Sequence, residues 1–208
     1  MKTLKLEFSK NGFIRKAVLL CAFGVATVFT ISCSKDDPAP IPPVVLAPLQ
    51  DPLAGYLAAS GFDQKSTNQV NLTDYEFGYS FIPLVNGKMT AIVAKIPDVH
   101  AGMRVTVWDK VAGTVLRTET IDITAAGVEV TKAITPLDLV KDKEYFLTFN
   151  SNDWYDHRRT DNANVVYPFI VGDLKITSYS FTSGSTQTMP NSPQLSYFAG
   201  DCTFKFQK

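Results

Sequence analysis

The sequence has few of the residues that usually carry catalysis or metal binding. Its 208 residues include 3 cysteines and 2 histidines. His100 and His157 lie far apart, without the His-x-x-x-His spacing of helical zinc sites. Neither a glycine-rich phosphate loop nor a nucleophile elbow occurs. We therefore predict no catalytic residue, no metal site and no cofactor.

The chain also lacks an apolar run long enough to span a bilayer. Residues 17–31 carry no charge, but this run is about fifteen residues long, whereas a spanning helix needs about twenty. Five Lys and Arg residues precede it, opposed by Glu7 alone. A basic segment followed by a short apolar one is typical of a secretory signal. We predict a signal peptide over residues 1–32, with an uncleaved anchor helix and plain secretion as the alternatives.

Cys33 marks the point at which the apolar segment becomes charged. Residues 30–33, Thr-Ile-Ser-Cys, resemble the lipobox of bacterial lipoproteins, although Thr30 stands where an aliphatic residue is usual. Residues 34–37, Ser-Lys-Asp-Asp, resemble the export signal that Bacteroidetes-type bacteria place after the lipid-bearing cysteine. The resemblance implies that Cys33 is lipidated and becomes the mature N-terminus. It also implies anchoring in the outer membrane, facing outward. Several acyl chains make such attachment stable.

A proline-rich segment follows the lipidation signal. Residues 38–48 contain five prolines, and Pro52 comes soon after. Proline fixes φ and has no N–H, so the segment favours an extended spacer that rises about 3.1 Å per residue and reaches roughly 50 Å. We assign residues 33–52 to the lipidated cysteine and linker, and residues 53–208 to one domain. A docking ligand for another protein is the alternative role for the prolines.

Cysteine is scarcer still in the mature chain. Cys21 leaves with the signal and Cys33 carries lipid, so Cys202 has no partner for an intramolecular disulfide. We expect Cys202 to be a small buried hydrophobic residue in the last strand.

Removing residues 1–32 leaves 15 Lys and Arg against 19 Asp and Glu. A mildly acidic domain without a basic stripe argues against nucleic-acid binding.

The remaining chain shows the two-residue periodicity of β-strands and no helical period of useful length. Residues 103–108 alternate cleanly, as in a half-buried strand that would hold Trp108 in a structural role. Residues 51–71 fit either a short helix or an irregular lead-in, and residues 136–143, 150–162 and 183–193 read as loops. About nine strands are predicted, over residues 75–82, 88–96, 103–108, 114–123, 127–134, 144–149, 165–171, 174–181 and 194–206. This pattern predicts an all-β fold, an antiparallel β-sandwich with the jelly roll as its expected type.

Short motifs within these strands resemble a known module. They are Phe-Gly-Tyr-Ser-Phe at residues 77–81, Gly-Lys-Met-Thr-Ala-Ile at 87–92, Val-Thr-Val-Trp-Asp at 105–109, Gly-Thr-Val-Leu at 113–116, Lys-Glu-Tyr-Phe-Leu at 143–147, and the closing strand at 197–204. Together they resemble a secreted bacterial β-sandwich module, a domain of unknown function (number 4082), over residues 75–206. The resemblance implies a sandwich without an established activity. Its shape is similar to that of carbohydrate-binding sandwiches, which is an analogy of fold alone.

The polar segment at residues 150–162 is the strongest candidate for a binding site. An aromatic face can cover the C–H side of a sugar ring, while amides, carboxylates and guanidinium groups bind its hydroxyls. In the alternative interpretation, Trp154 and Tyr155 cap an open end of the core, and Arg158 and Arg159 could instead bind an anionic group. The acids here do not follow a known calcium spacing. The candidate ligand-binding residues are Asp153, Trp154, Tyr155, Asp156, His157, Arg158 and Arg159.

These observations predict a cell-surface lipoprotein with a non-catalytic binding domain. Its expected partners are the membrane, through the N-terminal lipid, and either a polysaccharide or another surface protein, with no nucleic acid. A glycan binder requires an exposed aromatic platform or a concave rim near Trp154. A structural or accessory lipoprotein that binds another protein is the alternative, and full burial of Trp154 and Tyr155 would favour it. A hydrolase comes third, because it would need a cleft with paired carboxylates.

Overall fold

The computed structural model describes residues 47–208. The predicted signal peptide, the lipidation site Cys33 and most of the predicted linker lie outside the described residues. Residues 47–208 contain one α-helix, one short 3-10 turn and thirteen strands. In chain order these are α1 (Pro52–Ser60), the 3-10 turn (Phe62–Gln64), β1 (Lys65–Gln69), β2 (Tyr75–Pro83), β3 (Gly87–Lys95), β4 (His100–Asp109), β5 (Thr114–Ile123), β6 (Val130–Leu139), β7 (Tyr145–Ser151), β8 (Trp154–Arg158), β9 (Phe169–Val171), β10 (Leu174–Ser183), β11 (Ser192–Pro193), β12 (Tyr197–Ala199) and β13 (Asp201–Gln207).

The strands form three antiparallel sheets that share one hydrophobic core. The largest sheet has the strand order β11-β10-β2-β7-β4-β5, and β9 also pairs with β10. The second has the order β13-β3-β6, and the third β1-β8-β12. This arrangement confirms the predicted all-β antiparallel sandwich. The jelly-roll type stays a prediction.

Aromatic side chains fill the core between the sheets. The ring of Phe81 on β2 lies 4.7 Å from that of Phe204 on β13, measured between centroids. Tyr56 on α1 meets Phe198 on β12 at 5.2 Å, nearly at right angles. Each buried ring removes roughly 150–250 Å² from water, so these side chains supply much of the hydrophobic stabilisation.

Residues 51–71, which the sequence leaves ambiguous, form α1, the 3-10 turn and β1. Asp51 caps α1, because its Oδ1 accepts a hydrogen bond from the Leu53 N–H at 3.1 Å. Pro52 occupies the start of the helix, where no N–H is needed. Gly61 then ends the helix in the left-handed conformation. The helix covers the core with Tyr56, which is fully buried.

The prediction that residues 150–162 form a loop is wrong. β7 continues through Ser151, and β8 takes the next part of the segment, between β1 and β12. The sequence pattern does not predict β8 because two of its side chains, Asp156 and Arg158, are polar. They bond to each other, so the strand needs no apolar alternation on that face.

The predicted loop at residues 136–143 is also partly wrong, since β6 runs on to Leu139. The register between β3 and β6 shifts between the pairs Met89–Leu137 and Ala91–Ala133. The bulge therefore surrounds Pro136. β6 is the edge strand of its sheet, and a bulge in an edge strand tolerates proline.

Two other predicted strands are shorter or divided. Of residues 165–171, only β9 is a strand, and it follows a cis Tyr167–Pro168 bond. Residues 194–206 are divided into β12 and β13 at Gly200. Its φ of 92° ends the extended run, and a β-carbon there would lie 2.0 Å from the ring of Phe149.

Two expectations about buried residues are confirmed. Trp108 is buried in β4, where its indole N–H donates a hydrogen bond to Thr148 Oγ1 at 2.9 Å. Cys202 is a free, buried thiol in β13.

Candidate functional site

β8 presents its side chains alternately to two different environments. Successive residues of a strand point to opposite faces. Trp154, Asp156 and Arg158 therefore lie on one face, and all three line a cleft. Tyr155 and His157 lie on the other face. Backbone pairing with β1 on one side and β12 on the other fixes this orientation.

The cleft has a volume of about 240 Å³ and opens to solvent. β2, β8, β10 and β12 contribute its walls. Trp154 meets the rings of Tyr75 and Phe77 edge-on, each at 5.3 Å between centroids. Such edge-to-face packing holds the indole in one orientation while it stays partly exposed. The aromatic residues that line the cleft are Tyr75, Phe77, Trp154, Tyr179, Phe181 and Tyr197.

Asp156 and Arg158 form the charged part of the cleft wall. Arg158 Nε donates to Asp156 Oδ1 at 2.7 Å, and Nη2 donates to Oδ2 at 2.9 Å. The hydrogen bonds with Asp156 raise the pKa of Arg158 above its ordinary value, so the guanidinium stays charged. It also lies over the ring of Tyr197, 4.9 Å from the centroid. The pair gives the aromatic cleft a polar wall with no net charge.

Tyr179 closes the inner end of the cleft. Its side chain is buried, and within residues 47–208 its hydroxyl has no hydrogen-bond partner of good geometry, although the main chain of Ala199 lies nearby. Burial raises the pKa of Tyr179 well above its usual value, and the neighbouring Tyr197 adds to the effect. The hydroxyl therefore stays protonated.

The other face of β8 has a structural role. Lys95 Nζ lies 4.8 Å from the ring centroid of Tyr155. His157 Nε2 and Asp201 Oδ1 are 2.5 Å apart, which ties β8 to the start of β13. The His157 ring also lies beside Phe198 of the core, 6.1 Å between centroids. Tyr155 and His157 therefore do not share the cleft with Trp154.

The last two predicted residues lie at the ends of β8 and have structural partners. Asp153 is buried before the strand, where its Oδ1 accepts the N–H of Asn71 at 2.5 Å. Arg159 follows the strand and donates to both carboxylate oxygens of Asp161, at 2.9 and 2.7 Å. Of the seven predicted residues, the structure thus brings together three in the cleft.

Sequence reasoning missed the aromatic partners of Trp154. Tyr75, Phe181 and Tyr197 come from distant strands that read as ordinary core strands. The available signal was that Tyr75 and Phe181 stand at the ends of their predicted strands, where an aromatic residue is only half buried. Tyr197 lies inside the predicted strand 194–206 and gave no such signal. Sequence alone does not show that these ends meet.

A second hollow, of about 640 Å³, lies beside the turn before β3 and the end of β13. No aromatic side chain lines it. Its flanking Lys88 and Asp138 are exposed and 3.7 Å apart. The smaller aromatic cleft has more of the features of a specific site, namely a rigid apolar wall and a few polar groups directed into it.

Within residues 47–208 there is no group of three or more His, Cys, Asp or Glu side chains placed to hold a metal ion. None of the helices in the same residues is long and apolar enough to cross a membrane. Comparisons with protein-family models, with curated proteins and with solved structures found no match for this chain.

Proposed function

We propose that this protein is a surface lipoprotein whose β-sandwich domain binds a glycan without catalysing a reaction. The observation that carries the proposal is the cleft at Trp154, where partly exposed aromatic rings stand beside the Asp156–Arg158 pair. Aromatic rings bind the apolar face of a sugar, and charged planar groups bind its hydroxyls. The sandwich supplies four strands that hold these groups in place.

The size of the cleft suits a small part of a glycan. Pockets for drug-sized ligands usually measure about 300–1,000 Å³, and this cleft is smaller, about 240 Å³. It fits one sugar ring better than an extended chain. A terminal or single internal residue of a polysaccharide is therefore the ligand that we propose.

The chemistry of the cleft favours binding over hydrolysis. Glycosidases use two carboxyl groups that flank the scissile bond, about 5–10 Å apart. Asp156 is the one carboxylate among the residues that line this cleft, and both of its oxygens accept from Arg158. A single carboxylate in the cleft lacks the second carboxyl group that both glycosidase mechanisms require.

The proposed location follows from the N-terminal sequence. The lipobox-like residues 30–33, the Lys-Asp-Asp that follows and the proline-rich linker support a Bacteroidetes-type lipoprotein on the outer face of the outer membrane. The resemblance of residues 75–206 to the module of unknown function agrees with an extracellular β-sandwich. A tethered domain with an aromatic cleft can hold a polysaccharide at the cell surface.

Two neighbouring residues of β8 provide the test. Trp154→Ala removes the indole from the cleft, whereas Tyr155→Ala removes an aromatic ring from the opposite face. On an array of neutral and acidic oligosaccharides, we expect Trp154→Ala to lose at least about tenfold in affinity, or about 1.4 kcal/mol. Tyr155→Ala should bind as the wild type does, once thermal melting shows that it is folded. Equal binding by wild type and Trp154→Ala would remove the cleft from consideration.

A further inference from the structure

We propose that the cleft selects uncharged sugars with adjacent hydroxyls, and that Asp156 sets this selectivity by neutralising Arg158. The inference rests on the proposed function and names the ligand class of the same site. It is carried by the bidentate bond between the two side chains, by the place of Arg158 over Tyr197, and by the absence of any other charged residue among those lining the cleft.

Asp156 keeps acidic sugars out of the cleft. A free guanidinium binds a carboxylate through two parallel hydrogen bonds. Asp156 already accepts two such hydrogen bonds, from Nε of Arg158 at 2.7 Å and from Nη2 at 2.9 Å. An incoming uronate would meet this second carboxylate in a confined site, and repulsion between like charges is a common means of rejecting a ligand.

Arg158 keeps organic cations out. Aromatic walls beside an acid would otherwise suit a quaternary ammonium group. Here the guanidinium already lies over the Tyr197 ring, 4.9 Å from its centroid. A second cation would meet both an occupied ring face and a positive charge.

The pair still has hydrogen-bonding capacity for neutral hydroxyls. Arg158 has five N–H donors and uses two on Asp156, so about three remain, and about two lone-pair directions remain on Asp156. About a third of the Arg158 side chain is exposed, 36%. A sugar hydroxyl both donates and accepts, so two adjacent hydroxyls can bind a donor and an acceptor that stand side by side.

The position of the pair favours a role in the cleft over a role in stability. Asp156 and Arg158 lie two residues apart on one strand, so their bond joins no separate elements. By contrast, the bond between Lys132 and Glu119 links β6 to β5. The backbone of β8 is already paired on both sides. The main effect of Asp156 is therefore on the charge of the cleft.

The chain offers a matched control for this test. Arg159 and Asp161 form an equivalent bidentate pair, also two residues apart, outside the cleft. Asp156→Asn and Asp161→Asn each free one arginine, but only the first frees it beside Trp154. The probes are neutral hexose oligosaccharides, oligogalacturonate and choline, with affinities measured by titration calorimetry at low and at moderate salt.

We expect Asp156→Asn to gain at least about tenfold in affinity for oligogalacturonate and to lose affinity for the neutral sugars. The gain should shrink as salt is added, because it depends on charge. Asp161→Asn should resemble the wild type with every probe. The reciprocal variant Arg158→Gln leaves Asp156 alone among aromatic rings and should gain affinity for choline. This second variant keeps the inference testable if Asp156→Asn does not fold.

Three results would overturn the inference: wild type that prefers oligogalacturonate to neutral sugars, wild type that binds choline, or a folded Asp156→Asn without any gain for oligogalacturonate. A fourth result would support the role of Asp156: the wild type binds no sugar, but Asp156→Asn gains affinity for oligogalacturonate. The same result would contradict the glycan-binding proposal, so the two failures can be told apart.

Discussion

Cys202 shows how burial decides the chemistry of a single residue. The thiol lies in β13 with 3% of the residue exposed. Burial raises the pKa of Cys202 well above the usual thiol range, and the carboxylate of Asp201 adds to the effect. The reactive form of cysteine is the thiolate. The folded domain therefore holds this residue as an inert hydrophobic group.

We predict that iodoacetamide does not modify Cys202 in the folded protein at about pH 8, where an ordinary thiol with a pKa of about 8.5 reacts. In denaturant the same residue should be alkylated fully. Peptide mass spectrometry separates Cys202 from the other two cysteines. Rapid modification without denaturant would contradict the burial of Cys202 in β13.

The fate of Cys202 could be predicted from sequence, but the roles of the β8 residues could not. Cys202 lies in the predicted closing strand and has no cysteine left to pair with in the mature chain, so burial as a small hydrophobic residue is the simplest prediction. Trp154 and Tyr155, by contrast, look equivalent in the sequence and face opposite ways in the structure. Trp154 and Tyr155 face opposite ways because β8 is a strand. The polar side chains of β8 lack the apolar alternation from which a strand is predicted.

At the scale of the elements, an ionic contact links two edge strands that belong to different sheets of the sandwich. β5 is the edge of the largest sheet and β6 the edge of the sheet that contains β13. Lys132 on β6 donates to Glu119 Oε2 at 3.1 Å, and Arg117 donates to Oε1 at 3.2 Å. Burial alone would raise the pKa of Glu119, but the hydrogen bonds from Lys132 and Arg117 outweigh it, so the pKa is lowered.

We predict that Glu119→Gln destabilises the domain by about 0.5–1 kcal/mol at neutral pH. Because the pKa of Glu119 is lower in the folded state, its contribution is present above the ordinary Glu value of about 4.3. The contribution is lost as pH falls through the folded pKa. Urea unfolding of both proteins at about pH 7 and about pH 3 should therefore show a smaller difference at the lower pH.

Asp138→Asn is the control, because the Lys88–Asp138 pair is exposed and loosely spaced at 3.7 Å. It should change stability little at either pH. If Glu119→Gln cost the same at both pH values, the effect would come from packing and not from charge.

Among the elements, those with clear alternation could be predicted closely. β5 covers residues 114–123 as expected, and β2, β3, β4 and β10 differ by a few residues at their ends. The errors occur where another interaction replaces the apolar pattern: the Asp156–Arg158 bond in β8, and the bulge near Pro136 in β6. β1 was missed because it is a short, exposed, polar edge strand.

At the scale of the whole molecule, the sequence predicts the fold class but not the cleft. The class follows from many short strands and turns. The cleft depends on the meeting of β2, β8, β10 and β12, which are distant in sequence. Their order in the sheets is set by the summed packing of the core, and no local motif encodes it.

The lipid anchor is a prediction about the whole molecule, since it decides where the domain works. Cys33→Ala should move the protein from the membrane fraction to the soluble fraction of bacterial cells, because the acyl chains can no longer be attached. Cys21→Ala is the matched control, since Cys21 lies within the predicted signal peptide and should leave fractionation unchanged. Unchanged fractionation of Cys33→Ala would contradict lipidation at this residue.

The two faces of β8 also bear on how this protein would diverge. Tyr155 and His157 contact Lys95, Asp201 and the core residue Phe198, so drift at these positions disturbs folding. If the cleft binds a glycan as proposed, selection at Trp154, Asp156 and Arg158 acts mainly through that ligand. Among homologues that bind different glycans, substitution rates along this strand should then rise and fall with a period of two. Selection for ligand binding and selection for folding would then act on alternate residues of one short strand.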